Sequence, residues 1–174
     1  PLNPSQGDSM IQLGIDIGLT GAIAALTENG DFLSVEDLPV MTHGSAKWID
    51  GQALLSRLLE IRNGQPASAM VEHVHAMPKL GVIAANSKGM TMGSVLATLQ
   101  IAGVAIEVVP PATWKRELGL LAPKASDREK KAASLSKARM LFPTAELDRV
   151  KDHNRAESLL LAHWAVRRQW SKAA

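Results

Sequence analysis

Short apolar runs separated by turn signals fill the first forty residues of the chain. Ile11 to Gly18 is one run, interrupted by a single acid at Asp16, and Gly21 to Thr27 is a second. Glu28-Asn29-Gly30 parts the second run from Asp31 to Leu38, and Asn-Gly between two β-like runs predicts a hairpin. Three strands pairing antiparallel in sequence order are therefore expected. After Asp50, a predicted N-cap, Leu54, Leu55, Leu58, Leu59 and Ile61 recur at helical spacing until Asn63-Gly64 ends the pattern. Ala67 to Glu72 reads as a buried strand. A segment rich in Gly, Met, Lys and His follows to about Ser87, and a helix is predicted from Lys88 to Ala102, closed by Gly103. Val104 to Val109 reads as the next strand, and Pro111 suits the first turn of a short helix through Leu118. Ser126 to Leu141 predicts a basic amphipathic helix, and Asn154 to Trp170 a last one.

Three strands in succession, then strands alternating with helices, imply a mixed sheet that begins as a meander and ends in parallel crossovers. The expected fold class is α/β, with a ribonuclease H-like mixed five-stranded sheet flanked by helices. The 174 residues with 46% hydrophobic content suit a single compact domain over residues 10–174. Residues 1–9 are polar and turn-rich, and they read as a disordered lead or a cloning leftover ahead of Met10. The absence of cysteine excludes disulfides and thiolate metal sites. No apolar run approaches the roughly 20 residues of a membrane span, so the expectation is a soluble, intracellular protein. The net charge of +2 says little about partners until its distribution is considered.

The acids change the picture. Asp16 interrupts one apolar strand, Glu72 ends another and Glu157 lies inside the apolar last helix. A charge left unpaired in such surroundings is costly to desolvate. In the predicted sheet, Asp16 lies on the first strand and Glu72 at the carboxyl end of the fourth, the end where α/β sheets place their ligands, and Glu157 faces them from the helix. Carboxylates suit Mg2+ or Mn2+, and two such ions about 4 Å apart suit the attacking and leaving oxygens of a phosphodiester. Asp16 would bridge the two ions. Singly, each acid reads equally well as a cap or a solvated strand end; jointly, in this topological order, they read as a metal site.

At these residues the chain resembles the RuvC family of Holliday junction resolvases, especially its shorter phage versions. The matching segments are Gly14-Ile15-Asp16-Ile17-Gly18 with Thr20-Gly21, Val71-Glu72-His73-Val74-His75, Val109-Pro110 leading to Trp114-Lys115, and Asp152-His153-Asn154-Arg155-Ala156-Glu157. The resemblance implies a ribonuclease H-like, homodimeric, metal-dependent endonuclease that nicks four-way DNA junctions symmetrically and leaves a 5′-phosphate and a 3′-hydroxyl. It implies catalytic metal ligands at Asp16, Glu72 and Glu157. Family members often carry an acid or His three residues before the last acid, where this chain has Asn154. Two neighbours offer a fourth ligand. Asp152 is favoured because magnesium prefers carboxylate to imidazole, which leaves His153 as a base or proton carrier near the attacking water.

The resemblance also aligns His75 with an aromatic wedge at the junction centre, and Lys79 and Lys88 beside it are candidate phosphate contacts by their charge. Between Trp114 and Arg139, Lys115, Arg116, Lys124, Arg128, Lys130, Lys131, Lys137 and Arg139 outnumber three acids, as a phosphate-binding surface would require. Lys115 and Lys124 are the leading phosphate contacts among them, with Arg116, Lys130 and Lys131 in support, while Trp114 reads as a packing residue. The helix from Lys88 to Ala102 carries more apolar residues than one face holds, and in resolvases of this type the matching helix forms the dimer contact. Two other functions fit parts of the pattern. One is a ribonuclease H-like nuclease on RNA–DNA hybrid or other branched DNA. The other is an ATP-binding phosphotransferase of the actin and sugar kinase superfamily, suggested by Asp16-Ile17-Gly18-Leu19-Thr20-Gly21, although those proteins need two such domains.

Overall fold

The structure is a computed structural model that describes residues 9–73 and 81–173. Its elements run β1 (Ile11–Asp16), β2 (Ala22–Thr27), β3 (Phe32–Asp37), β4 (Val40–His43), β5 (Ala46–Ile49), α1 (Gly51–Arg62), β6 (Ala67–Glu72), α2 (Val82–Ile101), β7 (Ala105–Val109), α3 (Pro111–Glu117), α4 (Asp127–Leu141) and α5 (His153–Ala173), with a 3-10 turn at Val150–Asp152. Five strands form one sheet in the order β3-β2-β1-β6-β7. β1 pairs antiparallel with β2 and β2 with β3, while β6 is parallel to β1 and β7 parallel to β6. This is the mixed sheet expected from the pattern. Among the described residues, no helix is long and apolar enough to cross a membrane.

Local chemistry explains most boundaries. The Asp50 carboxylate accepts from the Ala53 amide at 2.9 Å to start α1, and Asn63 stops it in the left-handed region at φ 44°. Ser126 and Glu129 form a capping box at the start of α4.

Two elements depart from expectation. α2 begins at Val82, six residues before Lys88, because its first turns stand off the core with Val82 and Ile83 more than four-fifths exposed, so no amphipathic period marks them. The hairpin β4–β5 was absent from the predicted order. Its strands have four residues each and bury little beyond Ile49, so they lack the alternation that reveals a strand, although His43 stacks on Trp48 with ring centroids 6.3 Å apart.

Strand alternation divides the core into two layers. Ile11, Leu13 and Ile15 of β1 pack with Ile23, Ala25, Leu54, Leu58, Val95 and Leu99 against α1 and α2. On the opposite face Ala24, Leu26 and Met70 pack with Trp114, Leu135, Phe142, Leu159 and Leu160 against α3, α4 and α5. The β1 residues between the apolar positions are Gln12, Gly14 and Asp16, and they follow α5. Gln169 donates to Gln12 Oε1 at 3.0 Å. At Gly14 the helix backbone is so close that a Cβ would stand 2.1 Å from the Ser158 carbonyl oxygen and 2.5 Å from the Ala162 amide nitrogen. Glycine on the strand and small residues at positions 158 and 162 permit this approach.

Adding a methyl group here must push α5 off the sheet. Gly14→Ala should cost at least about 1–3 kcal/mol, the usual range for overpacking, and lower the thermal midpoint in a circular dichroism melt. An unchanged midpoint would mean that strand and helix are not in backbone contact.

Candidate metal centre

Parallel register brings the first two acids together. Ile15 is paired with Val71 on adjacent strands, and Asp16 and Glu72 are the residues that follow, each the last of its strand. The chain then turns back sharply after Asp16. The Gly21 amide donates to the Gly18 carbonyl at 3.0 Å, and a Cβ on Gly21 would meet the Asp16 carbonyl oxygen at 2.2 Å, so glycine is required there. Glu157 arrives from the second turn of α5, one residue before the Ser158 contact with Gly14. Asp16, Glu72 and Glu157 each offer a carboxylate oxygen, and the three lie within 4.8 Å of one another. All three are half-buried.

The other groups around the cluster are donors. Trp114, wholly buried, donates its indole N–H to Glu72 Oε2 at 2.9 Å. The Lys115 ammonium lies 3.0 Å from Glu157 Oε2 and 3.9 Å from Glu72 Oε2, and the buried Ser134 hydroxyl donates to Glu157 Oε1 at 3.1 Å. Burial, followed by the Glu72 and Glu157 charges, holds the Asp16 carboxyl well above the usual aspartate range, against the pull of Lys115 and Lys131. Burial also raises Glu72, opposed mainly by Lys115. Three acids facing one ammonium leave a net negative site of hard oxygen donors, which fits a divalent cation such as Mg2+ or Mn2+.

Asp152 and His153 do not join this cluster. The 3-10 turn aims the buried Asp152 carboxylate back at Arg149, which donates its backbone N–H at 2.8 Å and its guanidinium at 2.8 and 2.6 Å. Burial alone would raise the Asp152 carboxyl, but these bonds outweigh it and hold it below the usual range. The Asp152 carboxylate, expected as the fourth ligand, is thus held by the backbone and guanidinium of Arg149 rather than turned toward the three acids. His153 lines a separate cavity of about 310 Å3 with Leu19, Thr20, Asp37, Arg149, Lys151 and Asn154. Asn154, at the position where an acid or His was sought, donates to the carbonyl and hydroxyl oxygens of Thr20 and ties α5 to the turn after β1.

The basic residues separate into two kinds. Lys115, expected as a leading phosphate contact, is bound among the acids. Lys88, Arg116, Lys124 and Lys131 are exposed, and Lys88 lines a cavity of about 270 Å3 beside Ile17, Gly18 and Leu19. Lys130 lies 3.8 Å from Asp127, while Lys137 and Arg139 donate to the carbonyls of Leu118 and Leu147. His75 and Lys79 fall outside the described residues. Sequence reasoning missed Ser134 as a partner of Glu157; a lone Ser on the apolar face of α4 was the available signal.

Fold and site together define a ribonuclease H-like sheet with a three-carboxylate cluster at the carboxyl ends of two parallel strands. The structure is RuvC-like. It superposes on Thermus thermophilus RuvC in complex with a Holliday junction substrate with a TM-score of 0.62 and 21% identity, over 93% of this chain and 96% of that one. A second T. thermophilus RuvC structure gives a TM-score of 0.53 and 20% identity, over 93% and 97% of the two chains. The yeast mitochondrial Holliday junction resolvase Ydc2 gives 0.55 and 18%, over 91% and 78%. In sequence, the chain is similar to the chloroplastic Holliday junction resolvase MOC1 of Chlamydomonas reinhardtii, with 39% identity over 98 residues. That match takes in 55% of this chain but only 10% of the length of that relative. No protein-family profile matches the chain.

The raised acids set a pH dependence with a definite sign. Asp16 and Glu72 favour the folded state while protonated, and that contribution is lost as pH rises from their unfolded values near 4 through their higher folded values. At pH 7.5 in a chelator, Asp16→Asn should therefore raise the thermal midpoint, by about 2–4 °C for each kcal/mol of repulsion removed, and should lose the further rise that Mn2+ gives the wild type. Asp152 has the opposite sign, its contribution being present above its unfolded value and lost as pH falls through the lower folded one. Asp152→Asn should lower the midpoint yet leave Mn2+ affinity within about threefold, an allowance smaller than one tenfold step of 1.4 kcal/mol. A large loss of affinity would return Asp152 to the metal site.

Proposed function

We propose that this chain is a metal-dependent endonuclease that resolves four-way DNA junctions by paired, symmetric nicks. The observation that carries the reading is the convergence of Asp16, Glu72 and Glu157 within 4.8 Å at the strand ends of a RuvC-like sheet. The solved structures of that fold include a resolvase with its junction substrate and a mitochondrial resolvase, and a chloroplastic resolvase shares sequence with the chain. Asp16, Glu72 and Glu157 would hold two Mg2+ ions, with Mn2+ an equivalent occupant. Bound there, the ions supply Lewis-acid stabilisation of the charge that develops on the phosphodiester and lower the pKa of water at neutral pH.

The chain's own residues do the rest. Trp114 fixes the Glu72 carboxylate and Ser134 fixes that of Glu157, so both ligands meet the cation with little reorganisation. The exposed Lys88, Arg116, Lys124 and Lys131 bind the flanking phosphates, with Lys130 in support. Val82, Ile83, Met90 and Ile101 leave much of α2 apolar and exposed, which supports a homodimer built on that helix and a two-fold match to an opened junction.

Labelled four-way junction, Y-fork, linear duplex and RNA–DNA hybrid, incubated with and without Mg2+, test this reading. Symmetric nicks confined to the junction are expected, and Glu72→Gln should reduce their rate by at least the roughly 100-fold that loss of one transition-state electrostatic group costs. Cleavage of the hybrid alone would replace the resolvase reading with a ribonuclease. Replacing Lys124 and Arg116 together with Ala should weaken junction binding and reduce the slope of log K against log salt by about 1–2.

A further inference from the structure

Both carboxylate oxygens of Glu157 already accept a hydrogen bond, one of them from a cation. Its Oε1 accepts from the Ser134 hydroxyl and its Oε2 from the Lys115 ammonium, while Oε2 of Glu72 is taken by the Trp114 indole and approached by the same ammonium. A divalent ion that uses Glu157 Oε2 shares that oxygen with the Lys115 ammonium, and the two positive charges compete for it. Ser134 is 2% exposed and fixed on α4, so it stays. The Lys115 side chain is 24% exposed and ends a flexible four-carbon stem, and an ammonium beside a divalent ion is repelled by it.

We propose that Lys115 is an internal counter-ion that occupies the acid cluster in the metal-free protein and is exchanged for the divalent cation. The inference rests on the metal-centre reading above and assigns Lys115 a role before DNA arrives. In the free protein, the ammonium offsets part of the repulsion among Asp16, Glu72 and Glu157, and the Trp114 ring, 4.9 Å below it, steadies it there. Bound in this way, Lys115 competes with metal and holds metal affinity down. Once released, it turns toward solvent, where a phosphodiester oxygen takes the place of the carboxylates as its partner. Metal and phosphate then favour each other: a phosphate that attracts Lys115 tightens metal binding, and by reciprocity metal tightens phosphate binding. Lys115 is thus a positioning residue whose two partners are mutually exclusive.

Mn2+ titration of the DNA-free protein, followed by the loss of the free-ion paramagnetic resonance signal, tests the exchange without any cleavage step. Lys115→Met should bind Mn2+ at least about tenfold more tightly than the wild type, about 1.4 kcal/mol, because the competing charge is gone. Lys115→Arg keeps the charge and should stay within about threefold of the wild type, below that tenfold step. Lys115→Gln is a second neutral variant with the same expectation as Met, should the Met protein not fold. Equal or weaker Mn2+ affinity in the neutral variants, with the wild type binding Mn2+ normally, overturns the exchange and leaves the metal centre standing. A wild type that binds no Mn2+ removes both.

Discussion

Close approach of α5 to β1 is the constraint on which the site depends. A helix ordinarily rests on a sheet through side chains, but here the backbone of Ser158 and Ala162 comes down onto Gly14. Glu157 precedes Ser158, and Asp16 lies two residues after Gly14 on the same face of the strand, so the contact that brings helix to strand also brings carboxylate to carboxylate. The packing energy of the layer formed by Trp114, Leu159, Leu160 and their neighbours holds the two acids together against their repulsion. Fold stability and site electrostatics are thus opposed by design, and the cluster persists because apolar burial around it is extensive.

The donors around the acids moderate that opposition. A buried carboxylate is tolerated when its oxygens are hydrogen-bonded and its charge is partly balanced. Trp114 serves twice, as a core side chain filling the space between α3 and the sheet and as the N–H that orients Glu72. Ser134 does the same for Glu157 from α4. Three separate elements therefore converge on the site from the helical side, and the sheet supplies the other two acids from neighbouring strand ends. A second network lies alongside, in which Arg149 and Arg155 bind Asp37 and Asp152 and link β3 to the start of α5. It anchors the entry of the helix that carries Glu157.

Periodicity, caps and turn residues marked the sheet strands and the main helices, because these signals lie within a few residues of each position, and the connection rules then gave the antiparallel meander and the parallel crossovers. The same local signals singled out Asp16, Glu72 and Glu157, since an acid inside an apolar run is visible without knowing its partners. Elements whose side chains stay exposed were not legible: the first turns of α2 and the short strands β4 and β5 bury too little to imprint a period. Only the tertiary structure decided which side chains meet. It gave Asp152 to Arg149, Asn154 to Thr20 and Lys115 to the acids, because a polar or charged group takes the partner that chain folding brings nearest, and that partner lies 3 residues away in the first case, 134 in the second and 42 in the third.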